Sequence, residues 1–188
     1  TVQEELDVLY SSRPVHKVAI VAYSSNSSLC GGFNSSAIKH VTAIIDEYLA
    51  YGLSAEDITV FSVGRKMADA MNKKGFVSPA DYTHLADKPG YEEASKLATE
   101  LVHGFMTGRF DKVELSYNHF RSTASQPPVR ETYLPFAPAD DTEKTGNAES
   151  FDYIVEPDVD TILEVLLPEV FMLKMYTVQF ATNAAEPA

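Results

Sequence analysis

Five consecutive residues with hydroxyl or amide side chains are the first part of this chain that could bind a ligand. They run from Ser24 to Ser28 and follow directly on the apolar segment 18–23. Hydroxyls and backbone N–H groups at a strand-to-helix turn can hold an anion such as phosphate. The competing interpretation is a serine-rich turn that caps the following helix, and it is favoured because that helix begins only after Gly32.

A pair of glycines follows, together with the single cysteine of the chain. Gly31 and Gly32 lack the G-x-G-x-x-G spacing of a dinucleotide site, and no lysine follows in the pattern of a P-loop. Cys30 could act as a thiolate nucleophile near a helix N-terminus, but no histidine lies near it in the sequence. A small residue packed under a tight turn is the favoured interpretation, so the turn is expected to redirect the chain without binding phosphate.

No other set of residues has the spacing of a reactive site. The acidic pair Asp140 and Asp141 lacks the glycine and the ligand spacing of a calcium loop. Neither a Ser-His-Asp arrangement nor a pair of carboxylates can be nominated from spacing alone. The histidines lack the intervals of metal ligands and are predicted to lie on the surface or on strand faces: His16, His40, His84, His103 and His119. The sequence therefore predicts no catalytic residue, no cofactor and no metal ion.

The composition narrows the possible partners. The 188 residues carry 27 acidic and 15 basic side chains, which is a formal net charge of −12. Nucleic acids and anionic lipid surfaces require a basic face, so neither is expected as a partner. One cysteine cannot form an internal disulfide, and nothing points to an oxidising compartment. The chain starts at Thr1 and stops at Ala188 within a helical pattern, so both ends are expected to belong to longer segments.

Strand and helix patterns alternate along the chain, which is typical of an α/β fold with a Rossmann-like open sheet flanked by helices. The first strand is apolar on both faces, as a central strand covered by helices must be. The last two main strands flank a short loop with two prolines and are predicted to pair directly. The predicted strands are 16–23, 57–63, 112–120 and 129–135, with short additions at 76–77 and 153–155. The predicted helices are 34–51, 65–74 and 91–107, after a helical start at 1–12, and the predicted loops are 78–90 and the acidic insertion 137–150. The helix 34–51 is expected to end at Gly52 and to bury one stripe: Ile38, Val41, Ile44, Ile45 and Leu49.

The C-terminal part of the chain differs from the rest. Between Ile162 and Ala181 only five side chains are clearly polar. Three of these are charged and Pro168 interrupts the run, so a membrane span would be costly. A helix that is apolar around most of its circumference has to be buried against other protein. We therefore expect an N-terminal helix end with a linker at 1–15, an α/β domain at 16–156, and the start of a C-terminal helix at 157–188.

The turn of residues 29–34, LCGGFN, resembles the LCGGxN turn of the γ subunit of F-type ATP synthases. The resemblance covers nearly the whole chain in the right order. Further matching pieces are His119-Phe120, Ser125-Gln126, Leu134-Pro135, Tyr153 with Glu156-Pro157-Asp158, Leu166-Leu167-Pro168, Tyr176 and Ala185-Glu186. The family motif usually reads SDRGLCGG, whereas its acid, arginine and glycine are replaced within Ser25–Ser28. No role that depends on that Asp-Arg pair is carried over to this chain.

The resemblance implies a mechanical function. A γ subunit is the rotor, or central stalk, of the F1 sector of a proton-translocating ATP synthase. It transmits torque between the c ring and the catalytic subunits, and it has no catalytic site or cofactor of its own. Its partners would be the ε subunit, the c-subunit ring and the α/β catalytic hexamer. The hexamer would be reached through a coiled coil of terminal helices that is almost wholly absent here, and the chain would carry remnants of it at both ends.

The same resemblance assigns individual positions and a place in the cell. The chain would lie peripherally on the cytoplasmic face of a bacterial inner membrane, without a transmembrane segment. The residues expected to contact the c ring or ε are Phe151, Tyr153 and Glu156. The residues that match structural positions of the family motifs are Leu29, Cys30, Gly31, Gly32, Asn34, Gln126, Pro135 and Pro157.

Two other classes of function stay open at this point. The loop 24–28 resembles the phosphate loop of flavodoxin-like proteins, and an FMN-binding electron carrier would also fit the acidic composition. Against that interpretation, the chain has no tryptophan and no convincing aromatic pair to enclose a flavin ring. A plain interaction module of another complex would account for the apolar C-terminal helix alone.

Overall fold

In the part of the chain that the structure describes, four strands form one mixed sheet. The computed structural model describes residues 2–27, 32–88, 90–119, 122 and 125–136. The strands are β1 (Val18–Tyr23), β2 (Ile58–Val63), β3 (Lys112–Asn118) and β4 (Pro128–Leu134). They lie side by side in the order β2-β1-β3-β4. β1 is parallel to β2 and β3, while β4 is antiparallel to β3.

Helices cover both faces of this sheet, so its central strand is buried on both sides. All residues of β1 are buried, and they alternate between two apolar clusters. Val18, Ile20 and Ala22 pack with α2 (Phe33–Tyr51) and α3 (Arg65–Lys73). The other three residues of β1 pack in the cluster that contains α1 (Val2–Tyr10), α4 (Thr83–Asp87) and α5 (Tyr91–Met106). This double burial is the reason why the strand sequence is a continuous apolar run.

Two glycines end regular elements in backbone conformations that favour this residue. Gly52 ends α2 with φ 119°, and its N–H donates to the carbonyl oxygen of Leu49. Gly64 follows β2 with φ 123°, and a Cβ at this position would lie 2.3 Å from the carbonyl oxygen of Ser24. The ends of β1 and β2 can therefore approach each other this closely only because residue 64 has no side chain.

The predicted fold class is confirmed, and within the described residues the main predicted strands and helices are confirmed with ends that agree or differ by one or two residues. The helical start at the N-terminus is α1, and the direct pairing of the last two main strands is the antiparallel pair β3–β4. α5 buries one face, which includes Ala94, Leu97, Ala98, Leu101 and Phe105. The strand predicted at 153–155, the insertion 137–150 and the C-terminal helix lie outside the described residues.

Three predictions about local structure were wrong. Residues 76–77 form no strand, because the N–H of Phe76 donates to Met71 at the end of α3 instead of to a neighbouring strand. The predicted loop 78–90 contains α4, whose Leu85 is buried in the core. Leu49 is 39% exposed, because in this turn of α2 it is the neighbouring Tyr48 that packs into the core.

Candidate functional site

Hydrogen bonds within the chain occupy the described part of the serine-rich loop. The side-chain oxygen of Asn34 accepts from both the N–H and the hydroxyl of Ser25, each at 3.0 Å. The side-chain amide of Asn34 donates to the Ser27 carbonyl oxygen at 2.8 Å. Asn34 therefore ties the start of α2 back to the loop that follows β1.

The same loop caps α3. Ser24 Oγ accepts from the N–H of Met67 at 2.9 Å, and Asn26 Oδ1 accepts from the N–H of Arg65 at 2.6 Å. The N–H of Lys66 donates to the Ser25 carbonyl oxygen at 3.3 Å. Because the first amides of α3 already have partners, they are not available to a phosphate.

The prediction that this loop caps the following helix, α2, was wrong, because the loop caps α3 instead. The N-cap of α2 is Gly32, which makes no side-chain cap. The parallel pairing of β1 and β2 brings the end of β1 next to the start of α3. The loop therefore caps α3, which begins at Arg65, 32 residues after the start of α2 at Phe33. Asn26 Nδ2 extends the same corner to α4, where it donates to the Thr83 carbonyl oxygen at 2.9 Å.

A second polar cluster joins α2 to β3 and β4. Glu114 is a buried acid in β3, and Arg130 of β4 donates to its two carboxylate oxygens at 2.8 and 3.0 Å. The Tyr48 hydroxyl of α2 donates to the same carboxylate at 2.6 Å, and Lys112 Nζ lies 3.6 Å from it. Arg130 also pairs with the exposed Glu47 of α2 at 2.7 Å.

The pKa values of three titratable groups in and beside this cluster are shifted in the directions that burial and pairing dictate. Burial raises the pKa of Tyr48, and its hydrogen bond to ionised Glu114 raises it further. The hydrogen bonds to Glu114 are the main reason why the pKa of Arg130 is raised. Burial and the nearby Arg130 lower the pKa of His40, whose Nδ1 lies 2.8 Å from Ser116 Oγ. Each shift favours the form that holds α2 against the sheet, so the cluster is suited to structural anchoring.

The predicted family positions do not form one site. Asn34 lies at the corner after β1, whereas Gln126 and Pro135 lie at the two ends of β4. The Gln126 carbonyl oxygen accepts from Asn118 Nδ2 at 2.8 Å, which closes the β3–β4 loop. Gly32 is the N-cap of α2. The remaining family positions, Leu29, Cys30, Gly31 and Pro157, and the predicted partner contacts Phe151, Tyr153 and Glu156 lie outside the described residues.

The histidines were predicted to lie on the surface or on strand faces, and their placement agrees with this. His40 is half-buried beside β3, and the other four are exposed. Within the described ranges, no group of three or more His, Cys, Asp or Glu side chains could hold a metal ion. None of the described helices combines the length and the apolarity that a membrane span requires.

Sequence reasoning missed the ion pair between Glu114 and Arg130. A signal was present, because the two strands predicted to pair directly each carry one acid and one base, in the segments KVELSYN and PVRETYL. The antiparallel register brings Ser116 opposite Arg130 and Glu114 opposite Thr132. The two charges are therefore diagonal neighbours on one face of the sheet.

These features define an α/β domain whose polar clusters join one element to another. The family model described as ATP synthase matches residues 1–188. The chain therefore belongs to this ATP synthase family, within which its relatives are γ chains.

Two relatives illustrate the match. The ATP synthase gamma chain of Phocaeicola vulgatus is 48% identical over 176 residues, which cover 94% of this chain and 60% of the relative. That of Bacteroides fragilis is 42% identical over 179 residues, with the same two coverages. The chain thus spans about 60% of the length of these curated relatives.

Solved structures of ATP synthase rotors share the fold. The central stalk and c-ring structure of the Tetrahymena thermophila mitochondrial enzyme covers 99% of this chain at a TM-score of 0.64 and 16% identity, and 83% of its matched chain is covered. A rotor structure of the Euglena gracilis mitochondrial enzyme covers 99% at a TM-score of 0.59 and 15% identity, with 67% of that chain covered. The matched proteins are ATP synthase subunits, so the flavodoxin hypothesis gains no support from them.

Proposed function

We propose that this chain forms the globular part of the γ subunit, the rotor or central stalk, of a proton-translocating ATP synthase. It transmits torque between the c ring and the catalytic subunits and has no catalytic site of its own. The observation that carries the proposal is the family match over the full 188 residues, joined by relatives that are themselves γ chains. The similarity of the fold to central stalks points in the same direction.

The contacts within the domain support a mechanical function. Torque passes through a body without loss only if its parts do not slide past one another. In this chain the corner after β1 holds α2, α3 and α4 together, and the Glu114 cluster holds α2 against β3 and β4. Side chains that are occupied in this way are not available to a substrate.

Complementation tests the proposal directly. The full-length γ subunit that contains this chain is expressed in a strain that lacks its own γ subunit, and ATP-driven proton pumping is measured in inverted membrane vesicles. We expect pumping to return, and we expect the subunit to copurify with the catalytic α and β subunits. A full-length subunit that is folded but copurifies with neither would refute the proposal.

The finer assignments are part of the same proposal. Contacts with the ε subunit and the c ring are placed around Phe151, Tyr153 and Glu156, on the basis of the family resemblance. Cysteine substitution at Phe151 or Tyr153 in the full-length subunit, combined with a cysteine introduced into c or ε, should allow a disulfide cross-link to form under mild oxidation. Cysteine at Asp46, on the exposed side of α2, is the control and should give no such product. Equal yields at both positions would count against this placement.

The proposed location and division of the chain follow from the complex. As part of an ATP synthase the chain lies peripherally on the cytoplasmic face of a bacterial inner membrane. The segments 1–15 and 157–188 belong to helices of the shaft that enters the catalytic hexamer, and 16–156 is the α/β domain. The division is supported by α1, which ends at Tyr10 before the linker that leads into β1.

A further inference from the structure

Asp111 fastens the linker between α1 and β1 to the turn that precedes β3. Its Oδ1 accepts from Arg13 Nε at 3.0 Å, and its Oδ2 accepts from the backbone N–H groups of His16 and Lys17 at 2.9 and 3.0 Å. The N–H of Asp111 donates in turn to the Lys17 carbonyl oxygen at 2.8 Å. The linker 11–17 is therefore tied to the turn that precedes β3 by side chain and backbone together.

Arg13 extends this connection to α5. Its Nη2 donates to the carbonyl oxygens of Phe105, at 2.6 Å, and of Phe110. Its guanidinium carbon lies 4.1 Å from the centre of the Phe105 ring. A cation is favourable at the carbonyl end of a helix, and a planar guanidinium can stack and donate at the same time. One side chain thus binds an acid, the end of α5 and an aromatic ring.

The helix α1 is held at a second place. The carbonyl oxygen of Leu9 accepts from the N–H of Phe136, beyond β4, at 2.8 Å. The rings of Tyr10 and Phe136 lie 5.5 Å apart. Leu6 and Leu9 are buried in the cluster that contains α5. With Arg13 on one side and Phe136 on the other, α1 is fixed at two separate points of the sheet domain.

We propose that Arg13 is the positioning residue that fixes the angle of α1 to the sheet, so that the linker 11–17 acts as a stiff torsional joint. This inference rests on the proposed function, because a joint matters only if α1 belongs to a rotating shaft. A coil of seven residues without such bonds would bend and twist between the two bodies. The bonds of Arg13 and Asp111 remove that freedom where the shaft helix enters the domain.

Two variants test the joint, and a third is the control for the loss of an arginine elsewhere. Arg13→Ala removes every bond of the guanidinium. Asp111→Asn keeps the shape of the acid but removes its charge, and it decides the question if Arg13→Ala does not fold. Arg109→Ala is the matched control, because Arg109 also stacks on a phenylalanine ring, at 4.8 Å, and pairs with an acid of α5, at 3.4 Å. None of its described bonds reaches the linker.

Pulsed electron resonance measures how far α1 varies in position relative to the sheet, as the width of a distance distribution between two spin labels. Spin labels are placed at Glu5 on α1 and at Asp46 on α2, both exposed, in the full-length subunit with Cys30→Ala. We expect the distance distribution of Arg13→Ala to be about twice as wide as that of the parent. Arg109→Ala should leave the width unchanged. Arg13→Lys should give an intermediate width, because an ammonium cannot reproduce the fork and the stacking together. The inference is overturned if the distance distribution of Arg13→Ala is no wider than that of Arg109→Ala. If Arg13→Ala does not fold, the same comparison is made between Asp111→Asn and Arg109→Ala.

A single-molecule measurement connects the joint to the function. A bead is attached to the globular domain in the assembled complex, and its angular variance is recorded while the catalytic subunits are paused. The variance should rise about two-fold in Arg13→Ala and stay at the parent value in Arg109→Ala. An unchanged variance would overturn the inference even if pumping is normal. If the unmodified subunit does not assemble with the catalytic subunits at all, the proposed function fails, whatever the spin labels show.

Discussion

Removing Arg130 should destabilise the domain far more than removing the exposed acid that pairs with it. Glu114 is 2% exposed and accepts two hydrogen bonds from Arg130, at 2.8 and 3.0 Å. In Arg130→Ala the carboxylate keeps the Tyr48 hydroxyl at 2.6 Å and Lys112 at 3.6 Å, but it loses its main counter-ion. Breaking a buried ion pair from one side costs about 3–5 kcal/mol, because a charge is left buried without compensation.

Two further variants isolate the buried pair. Glu47→Ala removes the other acid bound by Arg130, at 2.7 Å with a side chain that is 65% exposed, and an exposed pair contributes only about 0–1 kcal/mol. Replacing both partners, Glu114→Leu with Arg130→Met, leaves no unpaired charge. The double variant should therefore recover most of the stability that Arg130→Ala loses.

The free energy of unfolding is measured by urea titration of the chain, from the midpoint and the slope of the transition. The melting temperature should fall by roughly 6–20 °C in Arg130→Ala, since 1 kcal/mol corresponds to about 2–4 °C for a domain of this size. In Glu47→Ala it should fall by no more than about 4 °C. The reasoning fails if both single variants lose the same free energy, or if the double variant is less stable than Arg130→Ala.

Three other outcomes follow from local geometry. Gly64→Ala should lower the free energy of unfolding by about 2 kcal/mol or more beyond the loss in Gly52→Ala. The two residues have φ 123° and 119°, but only Gly64 would place a Cβ 2.3 Å from Ser24. Equal losses in urea titration would contradict the close approach. The backbone amides of His16 and Lys17 and the Arg13 guanidinium outweigh burial and lower the pKa of Asp111 below 3.8. The contribution of Asp111 is therefore present above that pH and is lost as the pH falls through the lowered value, so Asp111→Asn should show a smaller loss of stability between pH 5 and pH 2 than the parent. Burial and Arg130 lower the pKa of His40 below 6.5, and stability should decline once the pH falls below that value, which His40→Gln should abolish in the same titration.

The elements that the sequence predicts well are those whose pattern is long and repeated. β1 is a continuous apolar run between two helices, and α5 repeats its buried positions over 16 residues, so both stand out in the sequence. α4 has five residues with one buried leucine, which is less than two turns and gives no period to detect. Leu49 fits the apolar spacing of α2, but the core takes the neighbouring Tyr48 from that turn, a choice that spacing alone does not reveal.

Polar contacts between distant residues were not predictable in the same way. The cap of α3 comes from Ser24 and Asn26, about 40 residues earlier in the chain. That pairing exists only because β1 and β2 lie side by side, so the strand order has to be known first. The bonds of Arg13 across 92 to 98 positions depend on the same sheet. The antiparallel pair β3–β4 was predicted, so the Glu114–Arg130 pair was within reach, as was the hydrogen bond from Tyr117 to Glu131.

The three polar clusters described above connect helices to the sheet at three different places. The corner after β1 joins both layers of helices at the carboxyl ends of the parallel strands. Glu114 and Arg130 fasten α2 to the antiparallel edge of the sheet, and Arg13 with Asp111 fastens the entering helix at the opposite ends of the strands. Apolar packing alone is non-directional and resists sliding poorly, whereas hydrogen-bonded ions and amides specify one relative orientation. If the domain turns as one body, as we propose, it needs such directional contacts where its helices meet the sheet.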